Sequence, residues 1–173
     1  MARLKLLFIP KDNKGCGFYR IMVPANEIKK QDLADVILDG RWVPDEVGWA
    51  DVIIAQRLCE QEAFEIIDKS HAMGKKIIYE LDDYLQGVTP HNQAFDYWNP
   101  LGPNLGRALR LIQKCDAMQV STPRLQKEYA LWNKNIESLP NYLDSSLWDM
   151  PAWKAEHWEE FYRKKNDAII RIG

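Results

Sequence analysis

Short apolar runs alternate with longer polar stretches along this chain, and their spacing predicts strands separated by helices. Residues 3–9 (RLKLLFI), 33–38 (LADVIL), 51–55 (DVIIA), 116–121 (DAMQVS) and 135–139 (NIESL) each have the length and apolar content of a strand. The clearest run lies in residues 75–89 (KKIIYELDDYLQGVT). There two lysines lead into Ile77, Ile78 and Tyr79, an acidic knot follows at Glu80, Asp82 and Asp83, and Gly87 marks a turn. A helix is predicted from about Phe18 toward Lys30, with Pro24 kinking or restarting it. Residues 60–73 read as an amphipathic helix, with Ala63, Phe64, Ile66 and Ile67 on one face, acids at its start and Gly74 at its end. Residues 107–114 form another, and Thr122 followed by Pro123 gives an N-cap and a first-position proline for a helix to about Trp132. The stretch 86–106, rich in Gly, Pro and Asn, reads as a long loop.

Strands alternating with helices specify an α/β fold: a Rossmann-like open parallel sheet with helices on both faces. Right-handed crossovers then place the loops that follow the strands on one edge, where ligands bind in such sheets. That edge would gather Gly15, Cys16, Gly17, Arg20, Arg57, Asp82, Asp83, Ser121, Thr122 and Asn141. The loop in residues 11–20 (KDNKGCGFYR) suits close backbone approach to an anion or polar ligand. It is not a dinucleotide fingerprint, since Arg20 and Ile21 stand where a third glycine would be sought. Cys16 reads as a small residue in a tight turn, or as a nucleophile only beside a base. Asp82 and Asp83 have two readings, as ligand-facing acids or as caps of the next turn. His71 reads as a surface residue.

Composition narrows the classes. At 173 residues, with 46% hydrophobic and 28% charged residues, the chain suits one soluble globular core. A net charge of −2 gives no general reason to bind nucleic acid. No apolar run reaches the length of a membrane span. The start MARLKLLFIP is cut off by Pro10 and Lys11 before it could be a signal-peptide core, so a cytoplasmic location is expected. Cys16, Cys59 and Cys115 form no Cys-x-x-Cys pair, which argues against a disulfide framework or zinc site. Trp98, Trp148, Trp153 and Trp158 lie in stretches that look exposed and read as cleft or interface residues, or as core anchors. Past Asn141 the pattern changes to a linker, a highly charged helix over 153–165 and an apolar strand over 167–173. The expected division is a Rossmann-like domain over 1–148, followed by a linker helix and the first strand of a second domain over 149–173.

The order GCGFYRIMVPANEI, ADVIIAQR, KKIIYELDD, CDAMQVSTPRLQKEY and SLPNYLDSSLW resembles the amino-terminal domain of GT-B-type glycosyltransferases, especially the retaining, glycogen-synthase-like group. In that family a segment like IIRIG opens the carboxyl-terminal domain, so the chain looks like the first domain halting at the start of the second. The resemblance implies that Gly15 and Gly17 face the interdomain cleft, near the donor phosphates or the acceptor. It places Asp82 and Asp83 where relatives carry a histidine or an acid contacting the transferred sugar, and Ser121 and Thr122 at the turn bordering the same cleft. No histidine stands at the Asp82 position here. The family's donor site, with its paired glutamates, belongs to the second domain, and relatives generally need no metal. The expected substrates are thus a nucleotide-sugar donor and a hydroxyl acceptor, with no cofactor, and a second domain or partner chain completes the enzyme.

A lone first domain can orient an acceptor hydroxyl, but it lacks the charge that stabilises the departing diphosphate. On this reading the chain is the acceptor-side half of a glycosyltransferase, inactive or very weak alone. The alternative is a non-catalytic Rossmann-like binding or interaction module. A hydrolase holding Mg²⁺ on Asp82 and Asp83 ranks last, because no further acidic strand end or lysine accompanies them.

Overall fold

The computed structural model describes residues 3–38 and 42–141. Among these residues, six parallel strands form one sheet: β1 (Lys5–Ile9), β2 (Asp35–Leu38), β3 (Val52–Gln56), β4 (Lys76–Leu81), β5 (Ala117–Val120) and β6 (Ile136–Ser138). Their order is β2-β1-β3-β4-β5-β6. This is the Rossmann-like α/β architecture that the alternating pattern specifies.

The helices are α1 (Gly15–Gly17), α2 (Val23–Lys30), α3 (Pro44–Trp49), α4 (Glu62–Ala72), α5 (Phe95–Trp98), α6 (Pro103–Lys114) and α7 (Pro123–Tyr129). A π-helical turn, Phe18–Met22, joins α1 to α2. Pro24 in the first turn of α2 supplies no backbone N–H, and the wider turn lies immediately before it. The helix therefore restarts at the proline without breaking.

Alternation along the strands sorts the core onto two faces. Leu7, Ile9, Ile53, Ala55, Ile77, Tyr79 and Leu81 pack with residues of α3, α4, α6 and α7. Leu6, Phe8 and Ile54 pack on the other side with Ile21 and Ala25, beneath the π-turn and α2. Helices thus cover both faces. Between β1 and β3 the chain changes direction, because β1 passes to β2 on one side and β3 to β4 on the other. A crevice at the carboxyl ends of the strands is expected at that point.

Helix α4 ends as its sequence dictates: Gly74 has φ +74°, and Lys75 N–H donates to Ser70 O at 3.0 Å while Gly74 N–H donates to His71 O at 2.9 Å. Thr122 caps α7, its Oγ1 accepting from Leu125 N at 3.2 Å.

Some expectations need correction. The stretch 86–106 is no structureless loop, since α5 and the first turn of α6 lie in it; Gly102 and Pro103 are the start signal of α6. Helix α3 was not expected, because only Val47 of its residues is buried and no apolar period shows. Trp98 is a core residue, 7% exposed. The boundary near residue 148, the helix and strand expected over 149–173, and Trp148, Trp153 and Trp158 lie outside the described residues. Among the described residues, no helix is long and apolar enough to cross a membrane.

Candidate functional site

The carboxyl ends of β1, β3 and β4 carry the chemistry-bearing side chains. After β1, Asp12 organises the loop: its Oδ1 accepts from Lys14 N at 2.9 Å, an Asx-type turn, and its Oδ2 pairs with Arg57 Nη2. The carbonyl of Asp12 also sits over Gly17, where a Cβ would come within 1.7 Å of it. Gly17 is therefore glycine so that α1 can start against its own preceding loop. Gly15 has open space around its Cβ position.

Arg57 follows β3 in the left-handed region, φ +48°, a conformation that strains a residue with a side chain. Its N–H still donates to Glu80 O at 3.0 Å, continuing the β3–β4 ladder. Its guanidinium stands between Asp12 and Asp83, with Nη1 4.0 Å from Asp83 Oδ2.

The backbone at the end of β4 is pinned from two other elements. Ser121 Oγ donates to Asp82 O at 3.3 Å, and Tyr129 Oη of α7 donates to Asp83 O at 3.1 Å while accepting from Leu85 N at 3.0 Å. Asp82 and Asp83 thus sit on a held turn. Their carboxylates face Cys16 and Arg57 rather than capping that turn: the Cys16 sulfur and one carboxylate oxygen each from Asp82 and Asp83 lie within 4.8 Å of one another, and Arg57 Nη1 is 4.0 Å from Asp83 Oδ2. Burial, then hydrogen bonding to Asp82, pushes the Cys16 thiol up from 9.0 to about 12. It is a neutral thiol at physiological pH and no nucleophile. Burial and the Asp82 charge raise Asp83 above the ordinary carboxylate value, with Arg57 opposing them. These donors could hold a divalent cation only by displacing the thiol proton.

Beneath this rim lies a buried ion pair. Arg20, in the π-turn, donates from Nε to Glu80 Oε1 at 2.6 Å, with the side chains 3% and 0% exposed. Arg20 Nη1 also donates to Leu139 O and, at 3.0 Å, to Asn141 Oδ1. One guanidinium therefore ties the first helical segment to the central strand and to the chain leaving β6. Arg20 lies four residues after Cys16, and Glu80 two before Asp82, so the ion pair continues the Cys16–Asp82 contact inward. Burial raises Glu80 from 4.5 to about 7, against the charge and hydrogen bond of Arg20.

The expected edge residues do share one edge, but their roles differ. Cys16, Arg57, Asp82 and Asp83 converge, and Arg20 and Asn141 meet just below. Ser121 supports Asp82, and Thr122 is occupied as an N-cap. Sequence reasoning missed Asp12 and left Glu80 out of the site. The signals were present: an Asp two residues before Lys14 is an Asx-turn pattern, and Glu80 shares a strand face with Asp82. His71 lies at the opposite edge, its Nε2 2.9 Å from Asp116 Oδ2.

A cavity of about 350 Å³ opens beside the rim at the crevice between β1 and β3, and its lining includes Pro10, Lys11, Trp42, Gln56 and Leu58.

No family model matches the chain. No curated protein matches it. Among solved structures, a match is a protein described as a conserved protein from Enterococcus faecalis V583, at 12% identity and a TM-score of 0.34, covering 80% of this chain and 92% of that one.

Proposed function

We propose that this domain is the acceptor-side half of a cytoplasmic glycosyltransferase, which orients a hydroxyl-bearing acceptor for a sugar delivered from a nucleotide-sugar donor. The observation that carries the reading is the convergence of the glycine loop after β1 with Asp82 and Asp83 on one rim. The rim sets Asp12, Asp82 and Asp83 beside Arg57, which pairs with Asp12 and Asp83. Carboxylates accept from hydroxyl groups, whereas an acidic rim repels phosphates. The space over Gly17 is taken by the Asp12 carbonyl, so that glycine serves the loop's own packing. The donor diphosphate is then held by a second domain or a partner chain.

The alternative, a binding module without chemistry, draws support from the neutral Cys16 thiol and from the Arg57 pairing of Asp83. The two readings separate on nucleotide-sugar hydrolysis and transfer by the full-length protein, measured with and without chelator. Sugar release that a chelator leaves unchanged is the expected result. No release with any donor favours the binding module. Release abolished by the chelator points to an ion on Cys16, Asp82 and Asp83 and to a metal-assisted hydrolase.

A further inference from the structure

The crevice where the strand order reverses is distinct from the carboxylate rim, although the two adjoin along the chain: Lys11 lines the crevice and is followed by Asp12, and Leu58 lines it and is preceded by Arg57. Its volume of about 350 Å³ is near the lower end of the roughly 300–1,000 Å³ typical of small-molecule pockets. That is room for one ring rather than a dinucleotide.

The walls are apolar, from Pro10, Leu58, Ile66 and Trp42, and Trp42 is itself packed against the core. An aromatic wall of this kind takes a flat apolar face. The polar members of the lining set the charge. Lys11 is ion-paired with Glu60, and Glu60 also accepts from Cys59 N at 3.0 Å. Glu62, in the first turn of α4, adds a second carboxylate. The Gln56 amide is fixed, its Oε1 accepting from Lys11 N at 3.1 Å. Among the described residues, the lining therefore carries an excess of negative charge and offers acceptors to a ligand's hydroxyl groups. Phosphates are disfavoured beside these carboxylates.

We propose that this crevice is a subsite for a single uncharged sugar ring, its apolar face on Trp42 and its hydroxyls toward Glu60 and Glu62. The proposal rests on the acceptor reading above and adds to it the acceptor's class and the place of its ring.

The test is saturation-transfer NMR on the intact chain, with methyl α-glucopyranoside, methyl α-mannopyranoside and methyl α-galactopyranoside as probes and with uridine and uridine diphosphate as controls. At least one glycoside should receive saturation, and its binding should weaken by about tenfold or more in Trp42→Ala and in Glu62→Lys. Glu62 is exposed, so the second variant loses only the favourable charge at the start of α4 and stays folded even if the first loses stability. Saturation of none of the glycosides, stronger binding of uridine or its diphosphate, or glycoside binding unaltered in Glu62→Lys would each overturn the subsite. Glycoside binding by a protein that transfers no sugar keeps the subsite and removes the transfer reading. Sugar transfer unaffected by both variants keeps that reading and removes the subsite.

Discussion

At Cys16 and Gly17 the physical environment decides what residue type alone leaves open. A cysteine between glycines suggests reactivity, yet burial and Asp82 hold this thiol protonated, near pKa 12. Its alkylation at pH 8, followed site by site in a peptide map, should run roughly two to three orders of magnitude slower than that of an unperturbed thiol. Asp82→Asn removes the charge and leaves only a neutral amide oxygen as acceptor, so Cys16 should then react faster. An unaltered rate in that variant would mean that the thiol and the carboxylate do not meet. The two glycines make a second contrast. Alanine in a helical position usually stabilises by roughly 0.5–1 kcal/mol relative to glycine, and Gly15→Ala has the space to do so. Gly17→Ala places a methyl within 1.7 Å of the Asp12 carbonyl and should lower the urea midpoint instead. Equal midpoints for the two variants would remove the close approach from the account. Neither distinction can be read from the string GCG, because it depends on where Asp12 folds back.

The strands were legible as elements because each is a short apolar or β-branched run, and the twin aspartates fall where β4 stops. Helix α3 was not legible, since PDEVGW buries only Val47, and α6 was begun late because Gly102, Pro103 and Gly106 read as loop punctuation. What holds the site turn was equally hidden. Tyr129 reads as one more apolar helix position, yet its hydroxyl bridges Leu85 N and Asp83 O across two elements. Tyr129→Phe keeps the ring and strands both partners, at a cost of about 1–3 kcal/mol in urea unfolding. Faster amide exchange at Leu85 should accompany that loss. Unchanged exchange would show that the turn is held by other contacts.

Across the whole molecule, the buried Arg20–Glu80 pair links the π-turn, the centre of the sheet and the chain leaving β6. Arg20 is expected at the ligand edge because its loop follows β1, and nothing in the sequence pattern there signals its burial. Folding raises the Glu80 pKa to about 7, so the folded protein binds a proton that the unfolded chain releases. That contribution to stability is complete below about pH 4.5 and is lost as pH rises through 7. The urea midpoint should fall across this window in the native protein, and Glu80→Gln should flatten the fall while lowering stability overall. An identical slope in the variant would place the proton elsewhere.

The sheet then acts as a frame that delivers Asp12, Arg57, Asp82 and Asp83 to one edge, and the proposal stands on what that edge does. Sugar transfer by the full-length protein, compared with Asp82→Asn and Asp83→Asn at matched folding, tests it most directly. The account predicts that transfer falls by about a hundredfold or more in at least one variant while its melting temperature stays close to that of the native protein. Transfer that survives in both, or that falls only in step with lost stability, would contradict it.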